Sequence, residues 1–141
     1  MPKAIIVYES RKGRTEALAR RIEEGMKESG VEVVMKRAGS AKANDLRDVN
    51  AVVLGSPTYN GDLMGTVKTV LFEMEKANLK GKVGATFGSY GWSGEAVQRM
   101  SDTMKHVFKM NVEEPGLKVL EGQEDLGEAK SFAQIHEHGD L

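Results

Sequence analysis

The run Ser10-Arg11-Lys12-Gly13-Arg14-Thr15 places two hydroxyls, three cations and a glycine directly before a helical pattern. A turn of this composition aims backbone N–H groups, the Ser10 and Thr15 hydroxyls and the positive end of a helix at one point, which suits a phosphate. The helix dipole contributes only about 0.3–2 kcal/mol. The N–H and hydroxyl donors must therefore supply most of the binding, with Arg11, Lys12 and Arg14 adding charge-assisted contacts. Neither G-x-G-x-x-G nor G-x-x-x-x-G-K-[ST] occurs in the chain. A dinucleotide fingerprint and a P-loop are thereby set aside, and one phosphate monoester fits better. Taken alone, the run reads equally well as Ser10 capping a helix beside a solvated basic loop.

Two further loops follow apolar runs: Gly55-Ser56-Pro57-Thr58-Tyr59-Asn60-Gly61-Asp62 and Gly88-Ser89-Tyr90-Gly91-Trp92-Ser93-Gly94. The chain has three Tyr and one Trp; three of these four residues lie in the two loops, together with five of the 16 glycines. Tyr or Trp on a glycine-rich loop offers a flat face to a planar ligand, and the glycines let backbone approach its edge. The plainer reading has Tyr90 and Trp92 capping the core at a sheet edge; their shared location with Tyr59 favours a ligand. A phosphate on one loop and an aromatic heterocycle between the other two describe flavin mononucleotide, FMN. Asn60-Gly61 is a turn dipeptide whose peptide flips at little steric cost, so it can present a carbonyl to flavin N5 when reduction protonates that atom. The same dipeptide also forms plain tight turns.

These loops need a scaffold. Five short runs rich in β-branched residues recur at Lys3 to Tyr8, Val31 to Met35, Ala51 to Leu54, Val83 to Phe87 and Leu117 to Leu120. Between and after them lie helical spacings: Leu18, Ile22 and Met26; Met64, Val67, Leu71 and Met74; Val97, Met100, Met104 and Val107; and Leu126, Ala129 and Ala133. Residues 41–48 leave room only for a short helix. Such alternation predicts an α/β three-layer sandwich, a five-stranded parallel sheet covered on both faces. The second and fifth runs carry charged residues and are expected at the edges, which gives the order 2-1-3-4-5 and a ligand beside the ends of strands 1 and 3. No repeat or linker divides the chain, so residues 1–141 are expected to form a single domain.

Composition narrows the chemistry. The chain has 141 residues and no Cys, which excludes disulfides, thiolate catalysis and Cys-ligated zinc or iron–sulfur centres. A redox role then requires a bound cofactor. The net charge is −1, with 11 Lys/Arg against 7 Asp/Glu in residues 1–47 and 2 against 8 in residues 111–141. The basic end lacks the aromatic interleaving and long cationic runs of a nucleic-acid surface. Residues 4–8 form an apolar run too short for a signal-peptide core or a membrane span, so a cytoplasmic protein without membrane contact is expected. His106, in a helical stretch, and His136 and His138, near a charged end, are read as packing or solvated residues, and no metal site is expected.

The run I-V-Y-E-S-R-K-G-R-T-E-A-L-A-R-R-I, from Ile6 to Ile22, resembles the flavodoxin signature at every restricted position. G-S-P-T-Y-N-G from Gly55 and F-G-S-Y-G-W-S-G-E-A-V from Phe87 resemble the FMN loops of flavodoxins, most closely those of the flavodoxin domain in flavodiiron proteins. The resemblance covers essentially the whole chain and implies a carrier that exchanges electrons with redox partner proteins through non-covalent FMN. It makes Ser10 to Thr15 the phosphate site, Pro57 to Gly61 one wall of the isoalloxazine pocket and Ser89 to Gly94 the other. Lys12 and Arg14 stand where the family has small hydroxyl residues and Asn, and the chain lacks the strong acidity of many flavodoxins. The carrier is expected to work without the metal-binding half of flavodiiron proteins, which these 141 residues do not include. An FMN-dependent NAD(P)H oxidoreductase acting on quinones or small oxidants is the alternative, although every connection is short for a second nucleotide site. A phospho-acceptor domain on the same sheet needs acids where Gly55-Ser56 and Ser10 stand, and is excluded.

Overall fold

The computed structural model describes residues 3–10, 13–56, 65–90, 95–112 and 117–120. Strand β1 (Lys3–Tyr8) leads to helix α1 (Arg14–Glu28), strand β2 (Glu32–Arg37), a short helix α2 (Ala43–Arg47) and strand β3 (Ala51–Gly55). Helix α3 (Gly65–Ala77), strand β4 (Val83–Tyr90), helix α4 (Glu95–Asp102) and the strand segments β5 (Asn111–Val112) and β6 (Leu117–Leu120) follow. All strand pairs are parallel, in the order β2-β1-β3-β4-β5, with β6 also bonded to β4. The expected order 2-1-3-4-5 is thus found, its fifth place filled by two successive segments.

Alternation along β1 sends Ala4, Ile6 and Tyr8 to one face and Ile5 and Val7 to the other, and all five are buried. A strand apolar on both sides needs cover on both sides. Leu18, Ile22 and Met26 of α1 supply it on the first face. Val67, Val70 and Met74 of α3, with Ala96, Val97 and Met100 of α4, supply it on the second. Helix α1 stops after Glu28 because the Gly30 N–H bonds Lys27 O at 3.1 Å and the Val31 N–H bonds Met26 O at 3.1 Å, which satisfies carbonyls the helix leaves open. Val31 is spent on that turn, so β2 begins at Glu32, one residue later than its apolar pattern predicts.

The stripe from Val97 to Val107 does not hold to its end. Residues Thr103–Val107 form a π-type turn, in which the Phe108 N–H bonds Thr103 O, five residues back, at 3.2 Å. The wider turn carries Val107 out to 64% exposure and lets Phe108 pack against the core in its place. Strand β4 runs to Tyr90 instead of ending at Phe87, because residues 87–90 pair with β6. The helix expected around Leu126, Ala129 and Ala133, and Met64 of the third helical spacing, lie outside the described residues. No helix among those described is long and apolar enough to cross a membrane.

Candidate functional site at the carboxyl rim of the sheet

The loops after β1, β3 and β4 start side by side because their strands are neighbours in register. Tyr8 pairs with Gly55 and Gly55 with Phe87, while the Glu9 N–H continues the ladder to Gly55 O at 3.2 Å and the Ser56 N–H to Phe87 O at 3.2 Å. Ser10, Gly13, Thr15 and Ser56 therefore stand on one rim. Ser10 does not cap α1 directly: Gly13 holds the capping position at φ +83°, a left-handed conformation suited to glycine. The Ser10 Oγ accepts the Gly13 N–H at 2.9 Å, which folds the loop back on itself. No described side chain caps α1, and its first backbone bond runs from the Ala17 N–H to Gly13 O at 3.0 Å. Thr15, in the first turn, is buried. An amino end built this way presents N–H groups and a hydroxyl to an anion.

Arg14 opens α1, while Arg11 and Lys12 lie outside the described residues, as do Pro57, Thr58, Tyr59, Asn60 and Gly61. Ser89 and Tyr90 are the last residues of a strand instead of loop residues, paired with Val119 and Leu120. Gly91, Trp92, Ser93 and Gly94 also lie outside the described residues. Two of the loop glycines serve packing. The Phe87 ring occupies the space a Gly55 side chain would need, and a Cβ on Gly88 would overlap the Ser56 carbonyl oxygen and lie 3.0 Å from Val97 Cγ2. His106 is exposed on the π-type turn; His136 and His138 lie outside the described residues.

A charged cluster beside the loop has no counterpart in the motifs. Glu9 accepts the Ser10 N–H at 3.0 Å and the Arg37 guanidinium on one carboxylate oxygen, and the Thr66 hydroxyl on the other at 3.2 Å. Arg37 also donates to Ser10 O at 3.2 Å and lies 3.8 Å from Glu16, its guanidinium carbon 5.5 Å from the Tyr8 ring centroid. The Tyr8 hydroxyl donates to Glu16 at 3.0 Å. Burial pushes the Glu9 carboxyl up, but the Ser10 N–H, Arg37 and Thr66 outweigh it and hold the group below the usual carboxylate range. Burial, reinforced by Glu16, raises the Tyr8 hydroxyl. The Glu9 bond raises Arg37 further still. Partners 28 and 57 positions away from Glu9 are invisible to a local motif; the one sequence signal was an acid placed immediately after the first strand.

The Flavodoxin family model matches residues 6–137 of this chain. The chain belongs to the flavodoxin family. It is similar to a flavodoxin from the domain Archaea at 33% identity and a TM-score of 0.91, with 96% of each chain covered. The two-electron reduced flavodoxin of Megasphaera elsdenii aligns at 28% identity and a TM-score of 0.83, over 96% of this chain and 99% of that one. The type A flavoprotein fprA of Rhodobacter capsulatus is 36% identical over 137 residues, which make up 92% of this chain and 31% of the relative. The chain thus spans about a third of the length of the first curated relatives it matches. Flavodoxins bind FMN, and this chain, as a member of that family, has FMN as its cofactor. The groups at the start of α1 fit that cofactor, since buried Thr15, Ser10 and a glycine at the capping position suit a phosphate tail.

Proposed function

We propose that this flavodoxin holds FMN by its phosphate in the loop from Ser10 to Thr15 and by its ring between residues 56–61 and 89–94, and passes electrons between separate redox proteins. The observation that carries this reading is the folded-back Ser10–Gly13 turn at the head of α1, with Thr15 buried behind it. When bound, FMN supplies reversible uptake of one or two electrons. The chain's residues do the rest. Backbone N–H groups of the first turn and the Ser10 and Thr15 hydroxyls bind the phosphate, and Arg11, Lys12 and Arg14 offset its charge. Pro57, Thr58 and Tyr59 line one side of the ring with Ser56 at their root; Tyr90, Gly91, Trp92 and Ser93 line the other, between Ser89 and Gly94. These residues would exclude water, and the Asn60–Gly61 peptide would offer its carbonyl as the acceptor of a hydrogen bond from N5–H of the bound flavin. The likeness of all three loops to those of flavodoxins supports the assignment.

Purified protein is expected to be yellow, to release FMN on denaturation, and to bind FMN more tightly than riboflavin. It should exchange electrons with a chemical reductant while leaving NAD(P)H unconsumed. Colourless protein with no affinity for added FMN overturns the site, and rapid NAD(P)H oxidation by the isolated chain overturns the carrier role in favour of a reductase.

A further inference from the structure

We propose that Glu9 is a positioning residue for the flavin: its carboxylate ties the loop ahead of α1 to the amino end of α3, so one side chain sets the spacing of two ligand loops. The proposal rests on the loop assignment above. Glu9 is only 13% exposed, and its two oxygens face three chain segments. One oxygen holds the Ser10 N–H and Arg37 at the end of β2; the other holds Thr66, the second residue of α3. Thr66 stands in the first turn of α3, so this bond holds the amino end of that helix against the segment after β1. Arg37 closes the frame from outside by donating to Ser10 O.

A carboxylate beside a phosphate site would repel the ligand unless its charge were matched. Arg37 of β2 and the uncharged Thr66 of α3 face Glu9, and Arg37 also lies against Glu16 of α1, which is in turn met by Arg20 and the Tyr8 hydroxyl. Two cations balance two anions in this set. Glu9 can therefore brace the loop without opposing the phosphate. Arg37 is about half exposed and Thr66 exposed, so a change at Thr66 removes little buried packing.

The test compares FMN with riboflavin, which lacks the phosphate. Each flavin complex of the full chain is diluted, and the fluorescence of released flavin gives its dissociation constant for wild type, Glu9→Gln, Thr66→Val, the double variant and Thr15→Val. A brace between two loops predicts that Glu9→Gln and Thr66→Val each weaken both flavins, by about three- to tenfold. The double variant should be no weaker than the worse single one. Thr15→Val should weaken FMN alone. Unchanged constants in Glu9→Gln, loss confined to FMN, or additive losses in the double variant overturn the brace. Thr66 is exposed, so Thr66→Val tests the link even if Glu9→Gln lowers stability. If Thr15→Val leaves FMN binding untouched, the phosphate-loop assignment itself fails, which is a separate result.

Discussion

The two rims of the sheet satisfy their polar groups in opposite ways. At the amino rim the chain answers itself. The Lys82 ammonium donates to the carbonyls of Arg47 and Val49 at 2.7 Å each and Leu46 at 3.4 Å, closing the end of α2. Asn50 bonds Lys3 through both side chain and backbone, and Asn111 bonds Gly81 and Lys82. At the carboxyl rim the amino end of α1 has no described side-chain cap, and charged residues stand around it. One rim is finished by bonds between chain segments, and the other gathers hydroxyl, backbone and charged groups around the start of a helix. Stability and binding should therefore respond to different substitutions.

The largest expected effect is Gly88→Ala, the one change that should hurt both functions. Its Cβ would overlap Ser56 backbone, which cannot swing aside as a side-chain tip would, so we expect a loss of about 3 kcal/mol or more in denaturant unfolding, with FMN retention impaired. Thr15→Val should separate the rims from the site side. A buried hydroxyl lost from a charged ligand costs about 1.5–3 kcal/mol, a ten- to hundredfold weaker FMN dissociation constant. Lys82→Met should do the reverse, lowering unfolding free energy by about 1–2 kcal/mol while FMN affinity stays at the wild-type value.

Acid should act on the carboxyl rim through Glu9. Its folded pKa is depressed, so its contribution is complete above the ordinary carboxylate range and disappears as pH falls through the lowered value. Riboflavin affinity should weaken over that interval in wild type and stay flat in Glu9→Gln; a parallel decline in the variant would remove Glu9 as the cause. Asp45 is also depressed, chiefly by the Lys42 N–H at the start of α2, and Asp45→Asn should leave the flavin profile unaltered. The smallest effect is expected for Val107→Gln, within about 0.5 kcal/mol by thermal unfolding, since the side chain is solvent-facing.

The sheet was legible because its strands repeat a simple physical demand: β1 and β3 must be apolar on both faces, and β2 tolerates charge at an edge. Helix α1 was legible for a similar reason, with Leu18, Ile22 and Met26 all on one buried side. The errors came where one backbone group competed with another. Val31 serves the end of α1 instead of β2, and the π-type turn shifts the phase before Val107. Asn111–Val112 was missed because two residues carry no period. At the rim, Ser10, Gly13 and Thr15 could be read as a local motif, whereas the Glu9–Arg37–Thr66 cluster arises only when three distant segments meet. Gly55 and Gly88 were grouped with ligand loops on composition alone, yet their missing side chains make room for Phe87 and for Ser56 and Val97.

The outer border of the sheet carries one more consequence. From Val112 to Leu117 the chain takes five steps, while β4 takes three from Gly84 to Phe87. This border is thus described as two short segments, of two and four residues, instead of one long strand. The opposite border, β2, bears Glu32, Lys36 and Arg37. Interruption on one flank and charge on the other discourage the sheet from growing into its neighbours in a crowded solution.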